Sequence, residues 1–170
     1  NDLDLLDIQQ AIDKVAGEGV TRLIYSTRSS RPGDKRWRAL VPLAAPLTGA
    51  EYTDTAAAFF NLLEEASQGA LIPDRKLTLP GQLVYLPNRG EHYEFDAKRG
   101  QRLILSPDHP IIRRRTEDRA KIEAARAEAI AARERRARQR RNLPTDETRP
   151  ADHFNAGHTV GQLLDQYGYR

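Results

Sequence analysis

The chain has 170 residues, carries a formal net charge of +3 and contains neither Cys nor Met. Without cysteine it can form no disulfide, no Cys-ligated zinc site and no thiol nucleophile, which is typical of a cytoplasmic setting. No apolar run approaches the length of a membrane span, so we predict no contact with a membrane. The absence of Met leads us to expect a fragment of a longer product.

The first predicted element is a helix over residues 4–16. Apolar residues recur at a spacing of three and four from Leu5 to Val15, which is typical of a helix with one buried face. Asp2 and Asp4 have the Asp-x-Asp spacing of a metal-binding pair. Acidic residues also favour the positive end of a helix dipole, and we predict this second role for both.

Two strands follow in the prediction, over residues 21–27 and 35–42. A cluster of hydroxyls and an arginine comes directly after the apolar run of the first strand, and a Pro-Gly-Asp turn leads into the second. Because side chains alternate along a strand, Arg36 and Arg38 should share one face and Trp37 should lie on the other.

Guanidinium groups beside several hydroxyl donors predict an anion site at this point of the sheet. The alternative interpretation is a solvated sheet face in which the hydroxyl residues serve only as turn formers. The candidate phosphate-binding residues are Ser26, Thr27, Arg28, Ser29, Arg36 and Arg38.

The remaining pattern predicts a second helix and three short strands. The helix should begin at one of the residues Thr53-Asp54-Thr55 and extend to about Gln68, and the strands are predicted over residues 82–86, 91–95 and 101–105. This order of elements predicts an α+β fold with a mixed or antiparallel sheet flanked by helices. No glycine-rich nucleotide-binding loop is present in the sequence.

A strongly basic stretch begins at Ile111. Up to Arg141 it has eleven arginines and one lysine against five acids, a net charge of +7 where the whole chain carries +3. Its alanines and long charged residues predict a largely solvated helix over residues 116–141. This helix is either a charged spacer or a contact for nucleic acid. The candidate nucleic-acid-binding residues are Arg133, Arg135, Arg136, Arg138, Arg140 and Arg141.

These patterns divide the chain into three predicted parts. An α+β domain occupies residues 1–108, a charged helical extension follows over residues 109–142, and residues 143–170 form a linker with a short docking helix at about 159–167.

The segment from Ile24 to Leu47 contains a strand ending in Tyr-Ser-Thr, a turn, an Arg-Trp-Arg sequence and then Pro-Leu. In this order it resembles the archaeo-eukaryotic-type primase (Prim-Pol) domains of phage and plasmid replication proteins. Asp74, followed by a predicted strand and Tyr85-Leu86-Pro87, is similar to the later aspartate of that family. The resemblance covers about residues 20–106 and the last twelve residues.

The resemblance implies a primase or polymerase domain, a nucleotidyltransferase of bacterial or phage-infected cells. It implies nucleoside triphosphates, DNA and a helicase domain or other replication protein as partners, Mg²⁺ or Mn²⁺ as cofactor, and Asp74 as a catalytic metal ligand. Two departures leave catalysis open. No strand with a carboxylate pair precedes the first helix, and Arg28 stands where the family often has histidine. The alternatives are a non-catalytic nucleic-acid-binding module and a helicase-docking adaptor.

Overall fold

The computed structural model describes residues 3–141 and positions 157, 159, 161, 162 and 164. The chain divides into two compact units, Asn1–Ile122 and Glu123–Arg170. The predicted linker and docking helix of residues 143–170 lie almost entirely outside the described residues, as does Asp2.

Three α-helices and three strands make up the described part of the chain, which confirms the predicted α+β fold class. In chain order they are α1 (Leu5–Ala16), β1 (Arg22–Ser26), β2 (Trp37–Leu40), α2 (Gly49–Ala66), a short 3-10 helix (Arg75–Thr78), β3 (Phe95–Lys98) and α3 (Pro110–Arg141).

The strands form one antiparallel sheet in the order β2-β1-β3. Tyr25 at the centre is paired with Arg38 on one side and with Phe95 on the other. Ile24 is fully buried in the core that α1 and α2 share. Since neighbouring residues point to opposite faces, Tyr25 lies on the face turned away from that core.

Helix α1 begins where its sequence indicates. Asp4 accepts the backbone N–H of Asp7 at 2.9 Å, and Asp7 in turn accepts that of Asp4 at 3.0 Å. Such a reciprocal cap satisfies backbone donors that the first turn leaves without partners. Asp4 is therefore the helix cap, as predicted from its position. Ile8, Ile12 and other apolar residues of one face are buried in the core.

Helix α2 begins earlier than predicted, since its cap lies five residues before the first of the cap candidates Thr53-Asp54-Thr55. Its cap is Thr48, which exchanges backbone and side-chain hydrogen bonds with Glu51. These bonds to Thr48 lower the pKa of the Glu51 carboxyl. The pairing of a cap threonine with a glutamate three residues later is a sequence signal that the prediction missed.

The predicted strands after α2 are mostly wrong in position. Residues 82–86 have no strand partner among the described residues and lie exposed, and the strand predicted at 91–95 is instead β3. Residues 101–105 contribute only single bridges, from Gln101 to Val20 and from Leu103 to Leu43. The alternation of apolar residues therefore predicted extended segments, but it could not show whether another segment lies beside them to form the hydrogen bonds of a sheet.

The start of α3 belongs to the first compact unit, which extends to Ile122. Ile111 is 1 % exposed, and Arg114 forms an ion pair with Glu65 of α2 at 2.7 Å. Asp118 accepts hydrogen bonds from Asn61 at 2.9 Å and from Arg114. Burial raises the pKa of Asp118, but these two hydrogen bonds outweigh it and the pKa is lowered overall.

His109 immediately before α3 should make stability depend on pH. Its Nδ1 accepts the backbone N–H of Ile111 at 3.2 Å, which requires this nitrogen to be unprotonated. Burial lowers the pKa of His109 below 6.5, and a hydrogen bond to the Ala16 backbone opposes this only in part. The unfolded chain therefore takes up the proton first. We expect the free energy of unfolding to decrease as pH falls through about 6.5.

Chemical denaturation at about pH 7.5 and about pH 5.5 measures this effect. His109→Asn keeps an acceptor at the helix start but does not titrate, so its loss of stability over this interval should be smaller. An equal loss in both proteins would contradict the assignment.

Within the described part of the chain, none of the helices combines the length and apolar character needed to cross a membrane.

Candidate phosphate-binding cleft

A cleft of about 560 Å³ lies where β1 ends, on the sheet face turned away from the core. We call it the β1 cleft. Its lining combines hydroxyl, guanidinium, phenol and amide groups from three parts of the chain. The lining residues are Tyr25, Thr27, Arg28, Ser29, Arg38, Tyr85, Leu86 and Asn88.

The turn after β1 presents hydroxyls and a guanidinium to the cleft. It is anchored by Thr27, whose N–H donates to the Arg36 carbonyl at 2.8 Å and whose carbonyl accepts from the Ser30 N–H at 3.0 Å. The hydroxyls of Thr27 and Ser29 are 3.2 Å apart, and Arg28 is exposed between them. Three adjacent donors therefore lie together on a turn whose backbone is fixed by the sheet.

Arg38 is held in place by a segment sixty residues from the first strand. The carbonyl of Tyr85 accepts from the Tyr25 hydroxyl at 2.6 Å and from Arg38 Nη1 at 2.9 Å. The Arg38 guanidinium also lies 5.4 Å from the centroid of the Tyr85 ring. Because one nitrogen is used for this anchor, the remaining N–H groups keep a defined direction while the charge stays available.

Gly90 brings the same segment against the turn. A Cβ at Gly90 would be 2.7 Å from the carbonyl oxygen of Arg28 and 3.2 Å from its Cα. Those distances are shorter than van der Waals contact, so any larger residue would displace the Arg28 backbone. Glycine here is a requirement of close packing and helps to position the cleft.

The cleft is electropositive. Within the described part of the chain no carboxylate lines it, and neither Arg28 nor Arg38 forms an ion pair with an acid. Two permanent cations beside two hydroxyls can bind phosphate oxygens through charge-assisted hydrogen bonds.

The structure brings together four of the six predicted phosphate-binding residues, Thr27, Arg28, Ser29 and Arg38. Ser26 does not join them, because its hydroxyl is completely buried. It donates to the His92 carbonyl at 3.2 Å and accepts the Glu94 N–H at 2.9 Å. Its role is to join β1 to the segment before β3, and its assignment as a phosphate ligand is corrected.

Arg36 does not line the cleft either. Its guanidinium forms an exposed ion pair with Asp34 at 3.0 Å, two residues away. Trp37 does lie on the opposite face from Arg38, as predicted, and packs against the core while its Nε1 donates to the Leu3 carbonyl at 3.0 Å. Trp37 and Arg38 therefore lie on opposite faces, as the alternation predicts. Arg36 is paired with Asp34, and its assignment as a phosphate ligand is corrected.

Asp74, the metal ligand that the resemblance implies, does not line the β1 cleft. It is exposed and caps the 3-10 helix by accepting the Lys76 N–H at 3.0 Å, and this helix packs on α2. The described residues contain no group of three His, Asp or Glu that could hold a metal ion. The Mg²⁺ or Mn²⁺ that the family resemblance implies therefore stays a prediction.

The second set of predicted residues lies on α3. The side chains of Arg133, Arg135, Arg136 and Arg138 are exposed, and those of Arg140 and Arg141 lie outside the described part. Exposed arginines are expected both in a charged spacer and in a contact for nucleic acid. Both interpretations of this helix therefore stay predictions.

Comparisons with family models, with curated proteins and with solved structures find no match to this chain. The resemblance to primase domains accordingly stays a prediction, and the function has to be argued from the geometry.

Sequence reasoning missed four lining residues, Tyr25, Tyr85, Leu86 and Asn88. Tyr25 was interpreted only as part of an apolar run, although a buried phenol ordinarily needs a hydrogen-bond partner and thus signals a polar contact. Tyr85 was assigned to a strand. No local signal shows that its carbonyl accepts from β1 and β2, because that contact exists only in the folded chain.

Proposed function

We propose that the first unit binds the phosphates of a nucleic acid or nucleotide, as a primase-like domain of a phage or plasmid replication protein would. The observation that carries the proposal is the pair Arg28 and Arg38, two cations without acidic partners among the described residues, placed with the hydroxyls of Thr27 and Ser29 around one cleft. A cation that no acid neutralises is free to bind an external anion.

The other lining residues favour a nucleotide over a small inorganic anion. At about 560 Å³ the β1 cleft is within the range of small-molecule sites. The ring of Tyr85, which is exposed, and the amide of Asn88 add apolar surface and hydrogen-bonding groups that a sugar or base could contact. This combination supports a ligand that has phosphate at one end and a ring system at the other.

The proposal concerns binding and contains no catalytic step. Nucleotidyl transfer requires carboxylates that hold divalent ions beside the phosphates. Asp74 is engaged as a helix cap, and the lining of the cleft contains no acid. The non-catalytic interpretation made from the sequence is therefore the form of the replication proposal that the geometry supports best.

The test uses the double variant Arg28→Gln/Arg38→Gln. We expect it to bind a fluorescent oligonucleotide, measured by anisotropy, about 100-fold more weakly, since each charge-assisted bond contributes about 1.5–3 kcal/mol. The salt dependence of log K should become shallower by about one for each lost phosphate contact. Unlabelled ATP as competitor tests whether a free nucleotide occupies the same site.

Arg36→Gln is the matched control. It removes the same charge two residues from Arg38, but its guanidinium is paired with Asp34 and lies outside the cleft. We expect a change of less than about threefold. A loss equal to that of the double variant would show that general charge, and not the β1 cleft, governs binding.

A further inference from the structure

The sheet face that holds the β1 cleft carries an aromatic side chain on two of its three strands. Phe95, Tyr25 and Arg38 are direct neighbours in the registers of β3, β1 and β2. Side chains in register on one face lie about 5 Å apart at Cβ. A phenyl ring, a phenol and a guanidinium therefore form one row across the sheet, on the side turned away from α1. Tyr25, in the middle of this row, is 1 % exposed, so the ring that the row offers to a ligand is that of Phe95.

A second ring lies beside Phe95, from the segment just before β3. Tyr93 and Phe95 stack with centroids 5.8 Å apart and an interplanar angle of 24°. The guanidinium of Arg89 lies 5.7 Å from the Tyr93 centroid. Phe95 is 57 % exposed, so part of its ring is open to solvent.

Charge is separated between the two faces of the sheet. On the opposite face Asp96 accepts from Arg22 at 3.1 Å, and Glu94 forms an ion pair with Lys35. These two acids are thus each paired with a cation within the protein. The aromatic face is bordered by arginines that have no ion-pair partner among the described residues, namely Arg28, Arg38 and Arg89.

We propose that this face, which we call the aromatic platform, binds single-stranded nucleic acid. Bases stack on Phe95 and Tyr93, while the phosphates extend to Arg28 and Arg38 in the β1 cleft. The inference rests on the phosphate-binding function proposed above and specifies its ligand. A single strand fits because its bases can leave their own stack and present a free face, which a duplex does not offer. Every base has such a face, so recognition should be tolerant of sequence.

The experiment compares two probes of equal length, oligothymidylate and an abasic strand that keeps the phosphates. Phe95→Leu retains the apolar contact but removes the π-surface. We expect it to weaken oligothymidylate binding about tenfold, equivalent to about 1.4 kcal/mol, and to leave binding of the abasic strand unchanged. Phe95→Trp should restore or increase the affinity for oligothymidylate. Because Phe95 is more than half exposed, both variants should retain the thermal stability of the parent.

The outcomes separate the two proposals. If Phe95→Leu bound both oligothymidylate and the abasic strand as tightly as the parent does, the proposed platform would be overturned. Equally tight binding of duplex and single strand would also overturn it. The phosphate cleft would still stand if Arg28→Gln/Arg38→Gln weakened both probes. If that double variant bound the abasic strand as the parent does, the cleft itself would be overturned.

Discussion

Gly100→Ala should destabilise the protein by about 3 kcal/mol, the largest effect we expect from a single added methyl group. A Cβ at Gly100 would lie 2.1 Å from the carbonyl oxygen of Gly19 and 3.0 Å from its carbonyl carbon. Both obstacles are backbone atoms, so no side-chain rotation can relieve the overlap. The chain after β3 would have to move away from the turn between α1 and β1.

That movement would break several hydrogen bonds at once. The Thr21 hydroxyl donates to the Gly100 carbonyl at 2.7 Å and accepts the Gly100 N–H at 2.9 Å. Beside it, the Gln101 N–H donates to the Gly19 carbonyl at 3.0 Å and the Thr21 N–H donates to the Gln101 carbonyl at 2.8 Å. These four bonds join the end of β3 to the start of β1, so their loss should lower the midpoint of urea denaturation.

Gly19→Ala is the matched control, because it adds the same methyl group to the other side of the contact. Its Cβ would meet only the Gln101 Nε2 atom, at an ordinary 3.9 Å. We expect its stability to change by less than about 1 kcal/mol, with a possible gain from reduced freedom of the unfolded chain. Similar midpoints for the two variants would contradict the packing argument.

Arg22→Met should also be strongly destabilising, by about 3 kcal/mol, because it leaves Asp96 without a cation and Asp13 with only the longer ion pair to Lys98, at 3.5 Å. Arg22 is only 6 % exposed and forms ion pairs with Asp13 of α1 and, at 3.1 Å from Nε, with Asp96 of β3. Methionine has a similar shape and can fill the space of the arginine stem. The expected loss therefore reflects uncompensated charge and not a cavity, and chemical denaturation measures it.

Two further variants separate charge from packing. The triple variant Arg22→Met/Asp13→Asn/Asp96→Asn removes the acids as well and should recover more than half of the loss. Arg36→Met breaks the exposed pair with Asp34 and should cost less than about 0.5 kcal/mol. A triple variant no more stable than Arg22→Met would indicate that the hydrogen-bond geometry of Arg22, rather than its charge, stabilises this junction.

The sequence by itself determined the elements whose signals are local. Helix α1 was predicted from its apolar spacing and its acidic cap, and strands β1 and β2 from an apolar run and an alternating pattern on either side of a turn. The placement of Trp37 and Arg38 on opposite faces follows from the same alternation. Thr27, Arg28 and Ser29 reach the β1 cleft together because they are adjacent on one turn.

Only the tertiary structure decided which of the predicted groups remain available to a ligand. Ser26, Arg36 and Asp74 have the chemistry of phosphate or metal ligands, yet each is engaged by a hydrogen bond or ion pair within the protein. Conversely, Tyr85 and Phe95 join the cleft and the aromatic platform from sixty and seventy residues beyond Tyr25. The physical reason is that spacing fixes the direction of a side chain, whereas its partner depends on which distant segment packs against it.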